Sequence, residues 1–302
     1  MTAVDAAVLA ESVDADSVFV ETNGITLHTV QAGPEDGPLV VLLHGFPECW
    51  YGWHRQLGPL AKAGYRVVVP DQRGYNLSDK PSGVRNYHIR ELAADIVGLI
   101  DALDRETAAV AGHDWGAAIA WWLALEYPDR LSRLCIVNVP HPTVFEQTIR
   151  ESWDQRRKSA YFLWFQLPML PEVTAKAGNW WLMRRSLRST SRPGTFTTAD
   201  MDRYRRAWSQ PGAFTGMLNW YRAVVRYRAT PVRQQVETPT LILWGVRDEF
   251  LNESMAHDSV EYCTDGRLQL VEGASHWILH EEPAVAVEAL LDLVAEPTPV
   301  SE

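Results

Sequence analysis

The chain has 302 residues, a mass of 34.1 kDa and a formal net charge of −10, with a pI near 5.4. That charge excludes nucleic acid as a main partner, because phosphate binding needs a basic surface. A 46% hydrophobic and 22% charged composition is that of a globular protein, long enough for one large core with an insertion or for two modest domains.

The start, Met1 to Ser17, is acidic and has no basic n-region, so it does not read as a secretory signal. Val18 to Val30 is two β-rich runs around Asn23-Gly24, a hairpin signal. Leu39–Leu43 is a continuous apolar run, as in a strand buried on both faces. Tyr65–Val69 is a second such run, ending in Pro70-Asp71. Residues 86–103 carry apolar side chains at helical spacing: Ile89, Leu92, Ala93, Ile96, Leu99, Ile100 and Leu103. A strand over Thr107–Ala111, a helix over 117–127 and a strand over Leu134–Val139 follow. Strand and helix alternate as in a mostly parallel sheet with helices on both faces.

The alternation stops at Pro140. From there to about Thr230 the sequence is helical, aromatic and Arg-rich, with no clear strand. It resumes at Thr240–Trp244 and Leu268–Val271, and a helix over Pro283–Val294 closes the pattern before a tail, 296–302, expected to be frayed. The division is a core of 1–139 and 231–302 with a helical lid of 140–230 over the sheet's C-terminal edge. Residues 142–230 hold 15 Lys+Arg against 6 Asp+Glu, while the remainder holds 13 against 32. Such a basic segment either steers anions, docks on the acidic remainder, or is simply Arg-rich solvated helix.

Between the 107–111 strand and the helix after it lies Gly112-His113-Asp114-Trp115-Gly116. Glycine two residues either side of the centre lets strand and helix approach closely, which pushes the central side chain out over the sheet. The residue presented there is a carboxylate, already anionic at pH 7. Its attack on a saturated carbon forms an alkyl ester of the protein, which water must then cleave. Strained ethers and carbon–halogen bonds are the substrates this chemistry suits.

With Asp114 as nucleophile, the acid and the histidine should follow in loops after later strands. Leu241–Trp244 leads into Gly245-Val246-Arg247-Asp248-Glu249, making Asp248 the acid, with Glu249 as the alternative. Leu268–Val271 leads into Glu272-Gly273-Ala274-Ser275-His276, making His276 the base that activates water. Singly, Asp248 could be a helix cap and His276 a loop residue; chain order and strand-end placement together select them. His44-Gly45-Phe46-Pro47-Glu48 follows a buried strand, and its expected role is an oxyanion hole made by the N–H of Phe46 with that of Trp115. His44 and Glu48 read as loop supports. In Asp71-Gln72-Arg73-Gly74, Asp71 and Arg73 are expected to tie the loop by local hydrogen bonds, with Gly74 at positive φ. Cys49, Cys135 and Cys263 lack CxxC spacing and fit a reduced intracellular protein, with no metal site. No apolar run has membrane-spanning length, so a cytoplasmic protein with no membrane partner is expected.

These motifs resemble the α/β-hydrolase-fold epoxide hydrolases and, less well, the haloalkane dehalogenases, over essentially the whole chain. Both families use an Asp nucleophile and no cofactor. The resemblance to epoxide hydrolases implies two lid tyrosines that protonate the ring oxygen. The matching positions are Tyr161, in Tyr-Phe-Leu-Trp-Phe-Gln-Leu-Pro, and Tyr221, in Leu-Asn-Trp-Tyr-Arg. Asn-using dehalogenases carry Asn where this chain has Phe46, which removes a halide donor. Fluoroacetate dehalogenases carry Arg where this chain has Trp115. The resemblance therefore implies hydrolysis of a small lipophilic epoxide by a monomer or homodimer, with Phe46, Trp115, Phe162 and Trp277 around the substrate. A haloalkane dehalogenase and a catalytically silent ligand-binding member of the fold are the alternatives. The lid tryptophans Trp153, Trp164, Trp180, Trp181, Trp208 and Trp220 either line an apolar tunnel or pack the lid helices together.

Overall fold

The computed structural model describes residues 15–295; the 296–302 tail and all but the last three residues of the acidic start lie outside them. Eight strands are present among the described residues: β1 (Ala15–Thr22), β2 (Ile25–Ala32), β3 (Leu39–Leu43), β4 (Arg66–Pro70), β5 (Ala108–His113), β6 (Leu131–Val137), β7 (Thr240–Gly245) and β8 (Gly266–Val271). They form one sheet in the order β1, β2, β4, β3, β5, β6, β7, β8. β2 runs antiparallel to β1 and to β4, and every other neighbour is parallel. Asn23 and Gly24, at φ 44° and 72°, make the tight β1–β2 turn that an Asn-Gly pair favours. β3, β5 and β7 are buried along their whole length, which explains their unbroken apolar character.

Helix α1 (His54–Lys62) follows β3, α2 (Ile89–Ala102) follows β4, and α3 (Trp115–Glu126) follows β5. The helix expected over 86–103 is divided. Val84–Tyr87 forms a 3-10 turn, His88 is extended, and its imidazole caps α2 by accepting the N–H of Arg90. α3 is apolar on every side and buried against α2, β5 and β6, so it has no water-facing stripe.

Six helices lie between β6 and β7 among the described residues: α4 (Pro142–Glu151), α5 (Trp153–Lys158), α6 (Tyr161–Trp164), α7 (Leu170–Ser189), α8 (Thr198–Trp208) and α9 (Ala213–Arg226). α10 (Ser254–Val260), α11 (Ile278–Glu281) and α12 (Pro283–Ala295) complete the order. α1, α10 and α11 lie outside the set expected from periodicity, being short. α7 is broken by Gly178, Asn179 and Trp180, all at positive φ. The turn sends Trp180 inward, where its indole N–H donates to Ser209 Oγ at 2.8 Å, and leaves Trp181 exposed.

Directed hydrogen bonds fasten these helices to the sheet edge. Trp208 Nε1–H donates to the carbonyl of Pro47 at 2.6 Å, and Trp220 Nε1–H to that of Arg73 at 2.9 Å. Tyr51 Oη–H donates to Asp200 at 2.7 Å, and Trp277 Nε1–H to Thr190 Oγ1 at 2.9 Å. Arg192 pairs with Glu281 and Glu282. The tryptophans divide accordingly: Trp180, Trp208 and Trp220 are buried, while Trp153, Trp164 and Trp181 are exposed.

Local ties hold Asp71 within the 71–79 loop, from Asn76 Nδ2 at 2.8 Å to its carboxylate and from Ser78 Oγ to its carbonyl, and long-range contacts add to them. Asp71 accepts from the ring of His28 at 2.6 Å and from the N–H of Trp50 at 2.9 Å. Arg73 makes a two-pronged pair with Asp95 of α2 at 2.6 and 2.7 Å. A buried charge needs a full-strength partner, and for Arg73 that partner lies outside the loop, in Asp95. Gly74 has φ 90°, as its position required.

The elbow imposes the tightest packing. A Cβ on Gly116 would collide with the carbonyl oxygen of Leu43 at the end of β3. Gly116→Ala should therefore lower unfolding stability by about 2–3 kcal/mol, measured by urea denaturation. An unchanged midpoint would mean that α3 and β3 can separate without cost.

Candidate active site

The parallel register brings Leu43 beside Gly112, His113 beside Val137, Val137 beside Leu243, and Gly245 beside Val271. The loops that follow these strands therefore leave the same sheet edge. They carry Phe46, Asp114, Asn138, Asp248 and His276.

Asp114 has φ 50° and ψ −123°, an unusual conformation for a residue with a Cβ. Gly45 passes so close that a Cβ there would strike the Asp114 side chain. That approach lets Phe46 N–H donate to Asp114 Oδ1 at 2.6 Å. His276 Nε2 lies 3.5 Å from Asp114 Oδ2. The two carboxylate oxygens thus face different groups.

On its other side, His276 Nδ1 is 2.7 Å from Asp248 Oδ2. Asp248 also accepts from Phe250 N–H at 2.7 Å, Leu251 N–H at 3.0 Å and Asn138 Nδ2 at 2.7 Å. Burial opposes charge on Asp248, but His276, the Phe250 amide and Asn138 outweigh it and hold the carboxyl below the usual range. Glu249, the alternative acid, is exposed. Burial likewise opposes charge on His276; the carboxylates of Asp248 and Asp114 outweigh it and push its pKa up to about 10. The resting pair is imidazolium and carboxylate.

Tyr161 and Tyr221 reach the same space from α6 and α9, with ring centroids 5.9 Å apart. The Trp115 ring packs edge-on against Tyr221, 4.9 Å between centroids. Burial raises both phenol pKa values, and the negative charge of Asp114 adds to it. Phe46 packs edge-on against Tyr221 at 5.2 Å, and Phe162 lies 4.8 Å from Tyr221 and 6.3 Å from Trp115. Trp277 is buried at the side of His276, 5.3 Å between centroids, with its N–H occupied by Thr190.

Several residues outside the expected set support the site. Asn138, at φ 53°, bonds Asp248 and also accepts the N–H of Gly245 at 3.0 Å, so it holds two strand ends together. An Asn directly after a buried strand was its sequence signal. Phe165 and Phe250 add aromatic walls, 5.6 Å and 6.2 Å from Tyr161. Glu48 is wholly buried, close to His280 at 2.7 Å, His113 at 3.5 Å and the hydroxyl of Tyr204. It therefore joins the oxyanion loop to α8 and α11. His44 is kept neutral mainly by burial, and its Nε2 accepts the N–H of Gln72.

The family model described as the alpha/beta hydrolase fold matches residues 38–283. YfhM, an AB hydrolase superfamily protein of Bacillus subtilis, is 47% identical over 274 residues, 91% of this chain and 96% of its own. Epoxide hydrolase 2 of Caenorhabditis elegans is 39% identical over 271 residues, 88% of this chain and 76% of its own. The crystal structure of Bacillus megaterium epoxide hydrolase in complex with an inhibitor superposes with a TM-score of 0.84 at 28% identity, covering 92% and 100% of the two chains. The chain belongs to the α/β-hydrolase-fold family, among its epoxide hydrolases.

The raised pKa of His276 can be tested directly. Imidazole NMR should show His276 protonated through neutral pH and titrating near pH 10. Asp114→Asn should lower that value by removing one of the two carboxylates. Because the folded pKa is raised, the imidazolium contributes stability that is complete below its unfolded pKa and lost as pH rises toward 10. A titration at the ordinary histidine value in both proteins would refute the charged pair.

Proposed function

We propose that this protein hydrolyses epoxides to vicinal diols through an ester on Asp114, with residues 140–230 as a cap over the core of 1–139 and 231–302. The single observation that carries the mechanism is the position of Asp114 between the N–H of Phe46, the imidazole of His276 and a pair of adjacent buried tyrosine rings.

Oδ1 is held by Phe46 N–H, so Oδ2 is the attacking oxygen. As its lone pair forms the C–O bond, the ring C–O bond breaks and the oxygen takes a proton from Tyr161 or Tyr221. The charge leaving Asp114 is one that had held the phenol protons and the imidazolium proton in place. Its loss makes the phenols stronger acids during ring opening. It also lets His276 give its proton to the tyrosinate, which leaves a neutral imidazole at the moment a base is needed.

In the second half, the now neutral His276 takes a proton from water, and the hydroxide attacks the ester carbonyl carbon. The oxyanion forms on Oδ1, against the N–H groups of Phe46 and Trp115. Collapse breaks the Cγ–Oδ2 bond of the ester and releases the diol, which carries Oδ2 away as its new hydroxyl and takes the acid proton. Asp114 carboxylate and His276 imidazolium are restored, so one water is consumed. Phe46, Trp115 and Phe162 wall the oxirane, and Trp277 buttresses His276. Haloalkane chemistry is disfavoured because Phe46 has no side-chain N–H for a halide.

His276→Gln should open the ring yet trap the ester, seen as an increase in protein mass equal to the epoxide. A single turnover in ¹⁸O-water should place label in Asp114 and not in the diol; label in the diol would overturn the ester. Changing Tyr161 and Tyr221 together to Phe should reduce epoxide opening by a factor on the order of 10² or more. Full activity in that double variant would remove the tyrosines from the reaction.

A further inference from the structure

The strongest surface feature outside the site is apolar. Leu163, Met169 and Val173 are exposed to 71%, 74% and 64%, and Trp164, Leu167 and Leu170 beside them are also exposed. Val224, Val225 and Tyr227, at the end of α9, are also exposed. The two groups are adjacent, because Arg222 of α9 donates to the carbonyls of Phe165 and Leu167 and pairs with Glu172 at 2.8 Å. Trp181 and Leu182, beyond the break in α7, are exposed as well.

Its charge has one sign. Residues 161–190 and 224–228 contain six cations, Lys176, Arg184, Arg185, Arg188, Arg226 and Arg228, and one carboxylate, Glu172, which Arg222 neutralises. Five of the six cations are exposed, Arg184 being partly buried. Large apolar side chains ringed by cations match an anionic lipid surface, where apolar groups enter the headgroup boundary and cations meet phosphate. A second copy fits less well, since a two-fold contact would set the cations against one another. The face lies beside the site: Leu163 and Trp164 share α6 with Tyr161.

We propose that this face docks the protein on anionic membranes and that lipophilic epoxides pass from the bilayer to Tyr161 and Tyr221. The docking is peripheral; no helix among the described residues is long and apolar enough to cross a membrane. The delivery of substrate rests on the epoxide reading above, whereas docking itself does not.

The test uses vesicles of phosphatidylglycerol and phosphatidylcholine against vesicles of phosphatidylcholine alone. The full chain should float with the anionic vesicles, and high salt should release it. Met169→Asp with Val173→Asp should weaken that binding roughly tenfold or more. Both substitutions are compatible with folding, because Met169 has φ 59°, where Asp is tolerated, and Val173 lies in the first turns of α7, where a carboxylate meets the helix N-terminus. The variant should keep wild-type turnover of a small water-soluble epoxide and lose any rate gain on a long-chain epoxide carried in vesicles. Failure to float, or equal flotation of the variant, overturns the proposal. So does a concentration-dependent dimer that the same substitutions dissociate, which would make the face a self-interface. Flotation without turnover of any epoxide would leave docking standing and overturn the epoxide reading alone.

Discussion

An aspartate carboxylate held at the tip of a strand-to-helix turn, with the N–H of Phe46 on one oxygen and His276 3.5 Å from the other, constrains everything packed around it. Gly45, Gly112 and Gly116 are needed because strand, loop and helix meet there at backbone distance. Asp248 must be ionised to balance His276, and Asn138 with two amides must hold it so. The phenols of Tyr161 and Tyr221 keep their protons in the field of the same charge. A buried network of this kind is stable only when each member has its partner.

That dependence links folding to chemistry. Asp248 and then Asp114 favour a protonated His276, and burial together with the charge on Asp114 keeps the phenols protonated. In the proposed mechanism, the disappearance of that charge on ester formation is the signal by which each group changes its task. No moving part is required, only the loss of one negative charge in a setting where water cannot screen it.

The segment between β6 and β7 has two surfaces with different physics. Its inner surface presents Trp208, Trp220, Tyr204 and Tyr221 to the core, each buried and most with a polar tip committed to a named partner. Its outer surface leaves Leu163, Met169, Val173 and Trp181 in water, with cations nearby. Aromatic and Arg-rich composition is common to both, so composition could not assign any one tryptophan to one surface. The left-handed turn at Gly178–Trp180, which turns Trp180 in and Trp181 out, made that assignment for two adjacent residues of the same kind.

Much was legible in the sequence. Apolar runs at Leu39–Leu43 and Thr240–Trp244 mark doubly buried strands, and the glycines around Asp114 mark a turn that only a close strand–helix approach requires. Short-range patterns of this sort are local consequences of burial and φ/ψ limits, so they are written in adjacent residues. Partners distant in the chain are not. That Asp71 bonds His28, that Arg73 bonds Asp95, and that Asn138 steadies Asp248 depend on strand register and crossover, which no local pattern encodes. The sequence by itself determined the alternation of strands and helices and the carboxylate at the elbow. Only the tertiary structure decided which oxygen of Asp114 faces which group, and which cap side chains face inward, because both depend on how separate segments pack at one sheet edge.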